Sequence, residues 1–324
     1  MIVRWGLEEL AALAGTRPLV VASPRWRRVI DAADRWEEIP SHRIEVPEDV
    51  DTIVAVGGGS AIDTAKAASA STGLPLVSVP TTYSGAEWTA FYGVRDPDRK
   101  MRGGGAGARL HAIVYEPQLT LDLPRAETVG TALNALAHCA EALYVRERTT
   151  GSDRDALAGA GLIGEWLPRV VDDPNDREAR TGLLRGACHA GAALGASMLA
   201  LGHALAQGLG GRYGAPHGAL NALTLPVALR FNQPVAAEAI ARLGQVLGSD
   251  DPAATVEKLA LLGGFERLRD LGIPENAPAE VAEAVAARPG ALANPRPVTP
   301  ADVEALQMIL LRVSEMVCEL PWIK

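Results

Sequence analysis

The feature that most constrains this sequence is a run of three glycines between an apolar segment and a helix-forming one. Residues 54–66 read VAVGGGSAIDTAK, so Gly57, Gly58 and Gly59 follow a β-type sequence directly. Glycines let backbone N–H groups approach a phosphate closely, and the dipole of the following helix favours an anion. The pattern predicts a strand, a turn and a helix that hold a dinucleotide or phosphate, although it is not GxGxxG. Taken alone, the glycines also fit a tight turn without a ligand.

A second segment, residues 76–87, repeats this design. It reads LVSVPTTYSGAE, a short apolar strand that ends at Pro80 and opens into a loop rich in hydroxyl groups. Consecutive strand ends of this kind meet at the ligand-binding edge of a parallel sheet. We therefore expect both loops to face one crevice. The polar candidates in the two loops are Ser60, Asp63, Thr81, Thr82, Tyr83 and Ser84.

The chain changes character near Pro124. Before it, the short β-branched runs PLVVAS, DTIVAVGGG, PLVSVPTT and AIVYEP alternate with helical or glycine-rich stretches, which predicts a parallel α/β sheet. After it, helical periodicity continues to the end. We expect an α/β dinucleotide-binding domain over 1–126, an all-helical domain over 127–324 and a site between them. Residues 99–109, RKMRGGGAGAR, are predicted to form a mobile loop or a hairpin tip. The predicted helices are 128–147, 153–169, 176–208, 217–231, 234–247, 253–270, 279–287 and 300–318.

Composition narrows the class of protein. The 324 residues suit two domains, and the net charge of −8 with scattered basic residues argues against a nucleic-acid partner. Three cysteines without CxxC spacing, Cys139, Cys188 and Cys318, predict reduced, buried thiols in a cytoplasmic protein. Residues 186–211 carry no charge, yet their Gly, Ala and His content favours a central helix of a soluble bundle over a membrane span.

Polar side chains recur at helical spacing in the second half. Asn134 and His138 are four residues apart, as are His203 and Gln207, and His217 follows a turn. Three imidazoles and one amide from three helices can surround zinc, iron or nickel. A histidine on an apolar helix is otherwise more often a hydrogen-bonded core residue.

Several motifs, in order, match one family. The chain resembles the iron-containing (group III) alcohol dehydrogenases, and within them it is most similar to the maleylacetate reductases. The resemblance covers most of the chain, and its motifs are GGGSAIDTAK, VPTTYSGAEWTAFYGV, IVYEPQLTLDLP, LNALAHCAEALY, LGGRYGAPHGALNALTLP and LANPRPVTPADVEAL.

The resemblance implies a nucleotide-binding α/β domain followed by a helical domain, the dehydroquinate synthase-like architecture, with NADH or NADPH as cofactor. The implied cofactor-binding residues are Gly57, Gly58, Gly59, Ser60, Asp63, Thr81, Thr82, Ser84 and Lys100. The implied metal ligands, for iron or zinc, are Asn134, His138, His203 and His217. Asparagine at the first ligand position is the maleylacetate reductase pattern and removes an anionic ligand.

Two departures concern the chemistry. Gln207 stands where the family usually has a histidine, and an amide cannot exchange a proton near neutral pH. After the strand PLVVAS, Ser23 replaces the acidic residue that binds a ribose 2′-hydroxyl, and Arg25, Arg27 and Arg28 follow. NADPH should therefore be accepted at least as well as NADH, unless these arginines only solvate the start of a helix.

The resemblance implies a homodimeric reductase that passes a hydride to an anionic keto acid or an aldehyde, and the sequence favours no membrane partner. The histidines at 138, 203 and 217 polarise the substrate oxygen, directly or through a metal, and Tyr83, a histidine or water supplies the proton. Lys100, Arg102 and Arg109 are candidate partners for the substrate's charge. The alternatives are a cyclase or lyase on the dehydroquinate synthase-like fold, and a degenerate homologue that binds a nucleotide without turnover.

Overall fold

The structure is a computed structural model that describes residues 1–97 and 100–312. It divides into two compact units, Met1–Leu123 and a second that starts at Pro124. Each unit is described by itself below. The predicted thiol at Cys318 and the end of the predicted helix 300–318 lie outside the described residues.

The N-terminal unit is built on a six-stranded sheet in the order β1-β8-β5-β4-β2-β3, with every pair parallel. A separate antiparallel hairpin pairs β6 with β7. The predicted runs at β2, β4, β5 and β8 are confirmed, whereas the short edge strands β1 and β3 were not predicted because neither has a continuous apolar run. The elements are β1 Ile2–Trp5, β2 Pro18–Ala22, β3 Asp34–Trp36, β4 Thr52–Gly57, α1 Gly59–Thr72, β5 Pro75–Pro80, β6 Tyr92–Arg95, β7 Met101–Gly105 and β8 Arg109–Tyr115.

The sheet is buried on both faces, which explains its continuous apolar strands. Along β4, Ile53 and Ala55 pack with Ile62 of α1, while Val54 and Val56 belong to the core on the opposite face. Successive side chains point to opposite faces, so a strand covered on both sides needs apolar residues at every position.

The glycine-rich segment 99–109 contributes a strand instead of an irregular loop. A Cβ at Gly104 would lie 2.8 Å from the carbonyl oxygen of Tyr92, so glycine is what allows β7 to pair closely with β6. The buried Lys66 of α1 donates a hydrogen bond of 2.8 Å to the carbonyl oxygen of Phe91, just before β6. The hairpin is therefore anchored to α1.

The described part of the C-terminal unit contains helices and no strand, which confirms the predicted fold class. The predicted helix 176–208 is wrong in one respect: the backbone leaves the helix at Met198, where φ is 83°. The predicted helices 217–231 and 234–247 are both present within the segment His217–Val246, and the break between them lies at Ala236, whose backbone is not helical. The helices are α2 Arg125–Ala142, α3 Thr150–Asp172, α4 Arg177–Ser197, α5 Leu201–Tyr213, α6 His217–Val246, α7 Pro252–Leu261, α8 Ala277–Ala286, α9 Pro289–Ala293 and α10 Pro300–Arg312.

The uncharged stretch 186–211 spans two of these helices. Among the described residues, no single helix has the length and apolarity to cross a membrane. Only α4 and α5 together meet that test, and they are bent by 97° at the break between them. Cys139 is buried as predicted, but Cys188 is partly exposed because it lies on a less covered face of α4.

Candidate active site

The two predicted loops lie side by side in the N-terminal unit. The strands β4 and β5 are parallel neighbours, with Gly57 opposite Pro80 in the register. The backbone N–H of Thr81 donates a 3.0 Å hydrogen bond to the carbonyl oxygen of Gly57. The strand, turn and helix predicted around the glycines are present, with α1 beginning at Gly59.

The glycines differ in what surrounds them. A Cβ at Gly58 would lie 2.8 Å from Cγ2 of Thr82, so glycine is required there by the neighbouring loop itself. A Cβ at Gly59 would meet nothing closer than Oγ of Ser84, at 3.6 Å. The buried Oγ1 of Thr82 has no hydrogen-bond partner among the described residues, which is what a polar group awaiting a ligand shows.

The remaining candidates of this unit have varied surroundings. Asp63 accepts hydrogen bonds of 3.3 Å from Lys66 Nζ and from the N–H of Gly93, so its carboxylate fastens the hairpin. Burial raises the pKa of Asp63, and the charge of Lys66 opposes this shift. Ser60 is partly exposed in the first turn of α1 and Tyr83 is fully buried. Lys100 is exposed in the turn between β6 and β7.

The three predicted histidines converge in the C-terminal unit. The rings of His138 on α2 and His203 on α5 stack with their centroids 4.7 Å apart and their planes 13° apart. The ring of His217, the first residue of α6, lies 5.7 Å from that of His203. His138 and His203 are buried, whereas His217 is exposed, so the cluster reaches the surface at one imidazole.

Two amides connect the imidazoles. Nδ2 of Asn221 donates a 2.7 Å hydrogen bond to Oδ1 of Asn134 and lies 3.0 Å from Nε2 of His217. Nε2 of His203 lies 3.3 Å from the same Asn134 oxygen. Asn221 was not predicted, although its place one helical turn after His217 puts it on the same face of α6.

Glu141 holds His203 in place and was also missed by the sequence reasoning. Its carboxylate is fully buried and accepts hydrogen bonds from the N–H groups of Ala200, at 2.7 Å, and His203, at 3.1 Å. It also contacts Nδ1 of His203 at 2.8 Å. With Nδ1 bound to a carboxylate, the Nε2 edge of His203 is the one that faces the cluster. The sequence did contain a signal for Glu141: it follows His138 by three residues, which places the two side chains on one face of α2.

His138 is held as a neutral imidazole. Burial lowers its pKa well below the usual value of 6.5, and the nearby charges of His203 and His217 lower it further. Its Nδ1 is buried and has no partner among the described residues, and the same is true of Oδ1 of Asn221. These two unsatisfied atoms mark the cluster as a place where a ligand completes the hydrogen bonding.

The arrangement does not fit a metal at the four predicted ligands. Two of the ligand atoms, Oδ1 of Asn134 and Nε2 of His217, face the amide NH₂ of Asn221, and a hydrogen-bond donor there would repel a cation. No group of three His, Cys, Asp or Glu side chains in the described chain could hold an ion. The assignment of these ligands remains a prediction.

Two of the basic side chains that were predicted to bind substrate or cofactor already form bonds to carboxylates of the protein. Arg102 bonds to Asp96 through its Nε, at 2.6 Å, and Arg27 pairs with Glu37. Gln207, on α5, instead meets an arginine that the sequence reasoning did not single out: Nη1 of Arg288 lies 3.4 Å from its side-chain oxygen.

Comparisons with known proteins agree with this architecture. Residues 128–310 match the C-terminal part of the Fe-containing alcohol dehydrogenase family, and residues 43–114 match iron-containing alcohol dehydrogenase. A maleylacetate reductase of Sphingobium indicum is 37% identical over 82% of this chain and 75% of its own length. One from Burkholderia cepacia is 34% identical over 94% of this chain and 84% of its own.

Solved structures give the same result. An iron-containing alcohol dehydrogenase from Corynebacterium glutamicum has a TM-score of 0.86 at 29% identity, covering 97% of this chain and 96% of its own. Maleylacetate reductase from a Rhizobium species has a TM-score of 0.83 at 27% identity, covering 96% and 95%. The chain therefore belongs to the iron-containing alcohol dehydrogenase family and is an NAD(P)-dependent oxidoreductase.

Proposed function

We propose that this chain reduces a small keto diacid of the maleylacetate class with NADH or NADPH. The observation that carries the proposal is the cluster of three imidazoles and two amides, in which Nδ1 of His138 and Oδ1 of Asn221 are buried and have no hydrogen-bond partner among the residues that the structure describes. The substrate class is supported by maleylacetate reductases that are 32–38% identical to this chain.

The cluster suits the charge that develops during the reaction. The hydride leaves the nicotinamide with its electron pair and adds either to the carbonyl carbon or to a double bond conjugated with it. In both cases negative charge accumulates on the ketone oxygen, where N–H donors in a dry site stabilise it. In the proposal the imidazole edges of His203 and His217 face that oxygen, and an imidazole or a water molecule returns the proton. Tyr83, the other donor predicted from the sequence, is fully buried in the N-terminal unit.

The cofactor assignment has two parts. The family's name supports a divalent metal, and the reductase names of the relatives support a nicotinamide nucleotide as the hydride donor. The hydrogen bonds of Asn221 oppose an ion at the predicted ligands, so the proposed chemistry uses the imidazoles and amides themselves. The nucleotide pyrophosphate is assigned to the turn at Gly59, with Oγ1 of Thr82 as a donor.

Nucleotide preference is a further part of the proposal. Arg27 is paired with Glu37 and Arg25 stacks over Trp26, which leaves Arg28 as the candidate for a 2′-phosphate. We infer that NADPH is accepted at least as well as NADH. We also infer that the protein is a homodimer, as the resemblance implies, and that it is cytoplasmic, as its cysteines without CxxC spacing favour. Parallel assays with the two nucleotides and sedimentation analysis test these points.

The decisive experiment follows the oxidation of NADH and NADPH by absorbance with maleylacetate and with an uncharged aldehyde. His217→Ala should lower kcat by about 100- to 10,000-fold while changing the melting temperature little, because His217 is exposed at a helix start. The matched control is His189→Ala, which removes a half-exposed histidine bonded to Asp155. Equal activity of the two variants would contradict the assignment.

The alternatives give different results in the same assay. A catalytically degenerate homologue would bind the nucleotide without oxidising it. A cyclase or lyase would convert its substrate with no net consumption of the nucleotide. Net oxidation that requires a keto acid supports the reductase.

A further inference from the structure

Arg288 lies against the face of α5 that carries Gln207. It is the residue before α9, and Nη1 and Nη2 are each 3.4 Å from an oxygen of Gln207, the side-chain oxygen and the carbonyl oxygen respectively. A Cβ at Gly211, one turn further along α5, would lie 3.8 Å from Nη2. Small residues on this face of α5 thus leave room for the guanidinium.

The charge of Arg288 has no counter-ion in the described part of the chain. No carboxylate there lies within ion-pair distance of its guanidinium, whereas Arg212 on α5 pairs with Glu280 at 3.1 Å. Nε of Arg288 is buried and has no hydrogen-bond partner in the described part of the chain. Desolvation without a compensating anion lowers the pKa of the guanidinium. A partly buried cation with unused donors is a site for an external anion.

The position relates this cation to the histidine cluster. Gln207 follows His203 by one turn of α5, and an α-helix rises about 5.4 Å per turn, so the two side chains lie on one face. In an extended keto acid, a carboxylate two or three bonds from the ketone carbon lies about as far from the ketone oxygen as one turn of the helix rises. The amide oxygen of Gln207 also orients the guanidinium, a role that a protonated histidine at this position could not fill.

We propose that Arg288, oriented by Gln207, binds a carboxylate of the substrate while the ketone oxygen lies at the histidines. The inference rests on the proposed function, which it deepens by assigning the recognition of the negative charge to one side chain. Arg288 is a specificity-determining residue in this scheme, and Gln207 is a positioning residue.

The test separates charge recognition from turnover. Arg288→Gln should raise KM for maleylacetate about ten- to a hundredfold with a smaller change in kcat, and should leave kcat/KM for an uncharged aldehyde unchanged. Arg288→Lys should recover part of the loss, since it keeps the charge but not the fork of donors. Arg212→Gln, which changes an arginine of α5 that is already paired with Glu280, is the matched control and should behave like the parent protein.

A binding measurement keeps the test independent of catalysis. Adipate, a dicarboxylate without a ketone, should bind the parent protein in a calorimetric titration and should bind Arg288→Gln at least about tenfold more weakly. Absence of adipate binding to the parent protein, or equal binding to both proteins, would overturn the role of Arg288. Loss of activity toward charged and uncharged substrates alike would do the same. Failure of the parent protein to reduce any keto acid, with adipate binding still dependent on Arg288, would instead refute the proposed function alone.

Discussion

At Glu141, one buried carboxylate serves three nitrogen atoms of a different helix. Two of these are backbone N–H groups at the start of α5, that of Ala200 just before the helix and that of His203 in its first turn, which have no intrahelical partner. The third is Nδ1 of His203. The side chain of Glu141 therefore caps the N-terminus of α5 and also fixes the orientation of the His203 imidazole on that helix.

Glu141→Gln replaces one of the two acceptor oxygens by a donor. We expect an unfolding free energy lower by about 1–3 kcal/mol, because a buried N–H loses its partner, together with a lower kcat because His203 is no longer fixed. Denaturant unfolding and kinetics on the same preparation measure both effects. Glu257→Gln, which removes an ion pair of the half-exposed Glu257 with Arg230, is the control and should change neither by much. A variant that is destabilised but keeps its kcat would show that Glu141 only caps α5.

Glu87 lies in the core of the N-terminal unit and makes stability depend on pH. Burial raises its pKa above the usual 4.5, although a hydrogen bond from Tyr115 and the charge of Lys66 act in the opposite direction. The folded protein therefore binds a proton more tightly than the unfolded chain does. Stability contributed by this group is present below about pH 4.5 and is lost as the pH rises through the folded-state pKa.

Glu87→Gln removes this ionisation. The unfolding free energy of the variant, relative to the parent protein, should increase as the pH is raised from about 4.5 to 8. Urea unfolding at several pH values gives the comparison. Two parallel curves would mean that Glu87 is charged in the folded state throughout this range.

At the scale of elements, two glycines set how closely α2 and α6 approach. A Cβ at Gly218 would lie 2.6 Å from the carbonyl carbon of Gly130, so the two backbones touch. This contact lies one residue after His217 and one turn before Asn134. The close crossing is what brings the amide of Asn221 within 2.7 Å of Asn134.

Gly218→Ala should push the start of α6 away from α2. We expect a loss of about 1–3 kcal/mol in unfolding free energy and a fall in kcat, because the link between the two asparagines is broken. The control is Gly161→Ala on α3, where the nearest atoms to the new Cβ are 3.8 Å away. Unchanged kcat in Gly218→Ala would mean that the cluster does not depend on this crossing.

The strand, turn and helix around Gly59 offer a test of the cofactor site. Gly58→Val is unsuitable because its side chain would collide with Thr82 of the neighbouring loop. Gly59→Val meets only ordinary contacts, so the unit should fold, while the added methyl groups fill the space before the helix N-terminus. Fluorescence titration should show NADH binding weaker by about tenfold or more. An unchanged affinity with an unchanged melting temperature would place the pyrophosphate elsewhere.

The sequence predicted the parts of the fold that depend on local residue patterns. Strand β4, helix α1 and the shared face of Asn134 and His138 follow from periodicity and spacing. The break after Met198 does not, because no proline or glycine marks it there. Its cause is tertiary: the distant Glu141 caps α5 and makes a new helix start more stable than a continuous one.

The residues of the candidate site likewise divide into those that local sequence patterns predict and those that depend on tertiary contacts. The three histidines could be named from their motifs, since each lies in a distinctive stretch of sequence. Arg288 could not, because the role proposed for it depends on the lack of a spatially close partner for its Nε among the described residues, which sequence spacing does not reveal. Asn221 and Glu141 had helical signals that a search restricted to metal ligands and proton carriers passed over.

At the scale of the whole molecule, the net charge of −8 works against an anionic substrate. Long-range repulsion is screened within about 10 Å at 0.1 M salt, so it acts mainly on the approach of the substrate. Recognition must then come from a local cation whose charge is not already neutralised. Arg288 meets this condition, whereas Arg102 is bound to Asp96.

The strand order of the N-terminal unit has a consequence for how the chain is made. β1 is the first strand to be synthesised, but its neighbour in the sheet is β8, the last one, with Ile2 opposite Ala112. Parallel strands can pair only after the intervening chain has been completed. The nascent protein therefore carries β1 without its partner strand while β2, β4 and β5 pair with one another. Ribosome-bound chains that end before β8 should be open to proteases and chaperones at β1, and chains that include β8 should be protected there.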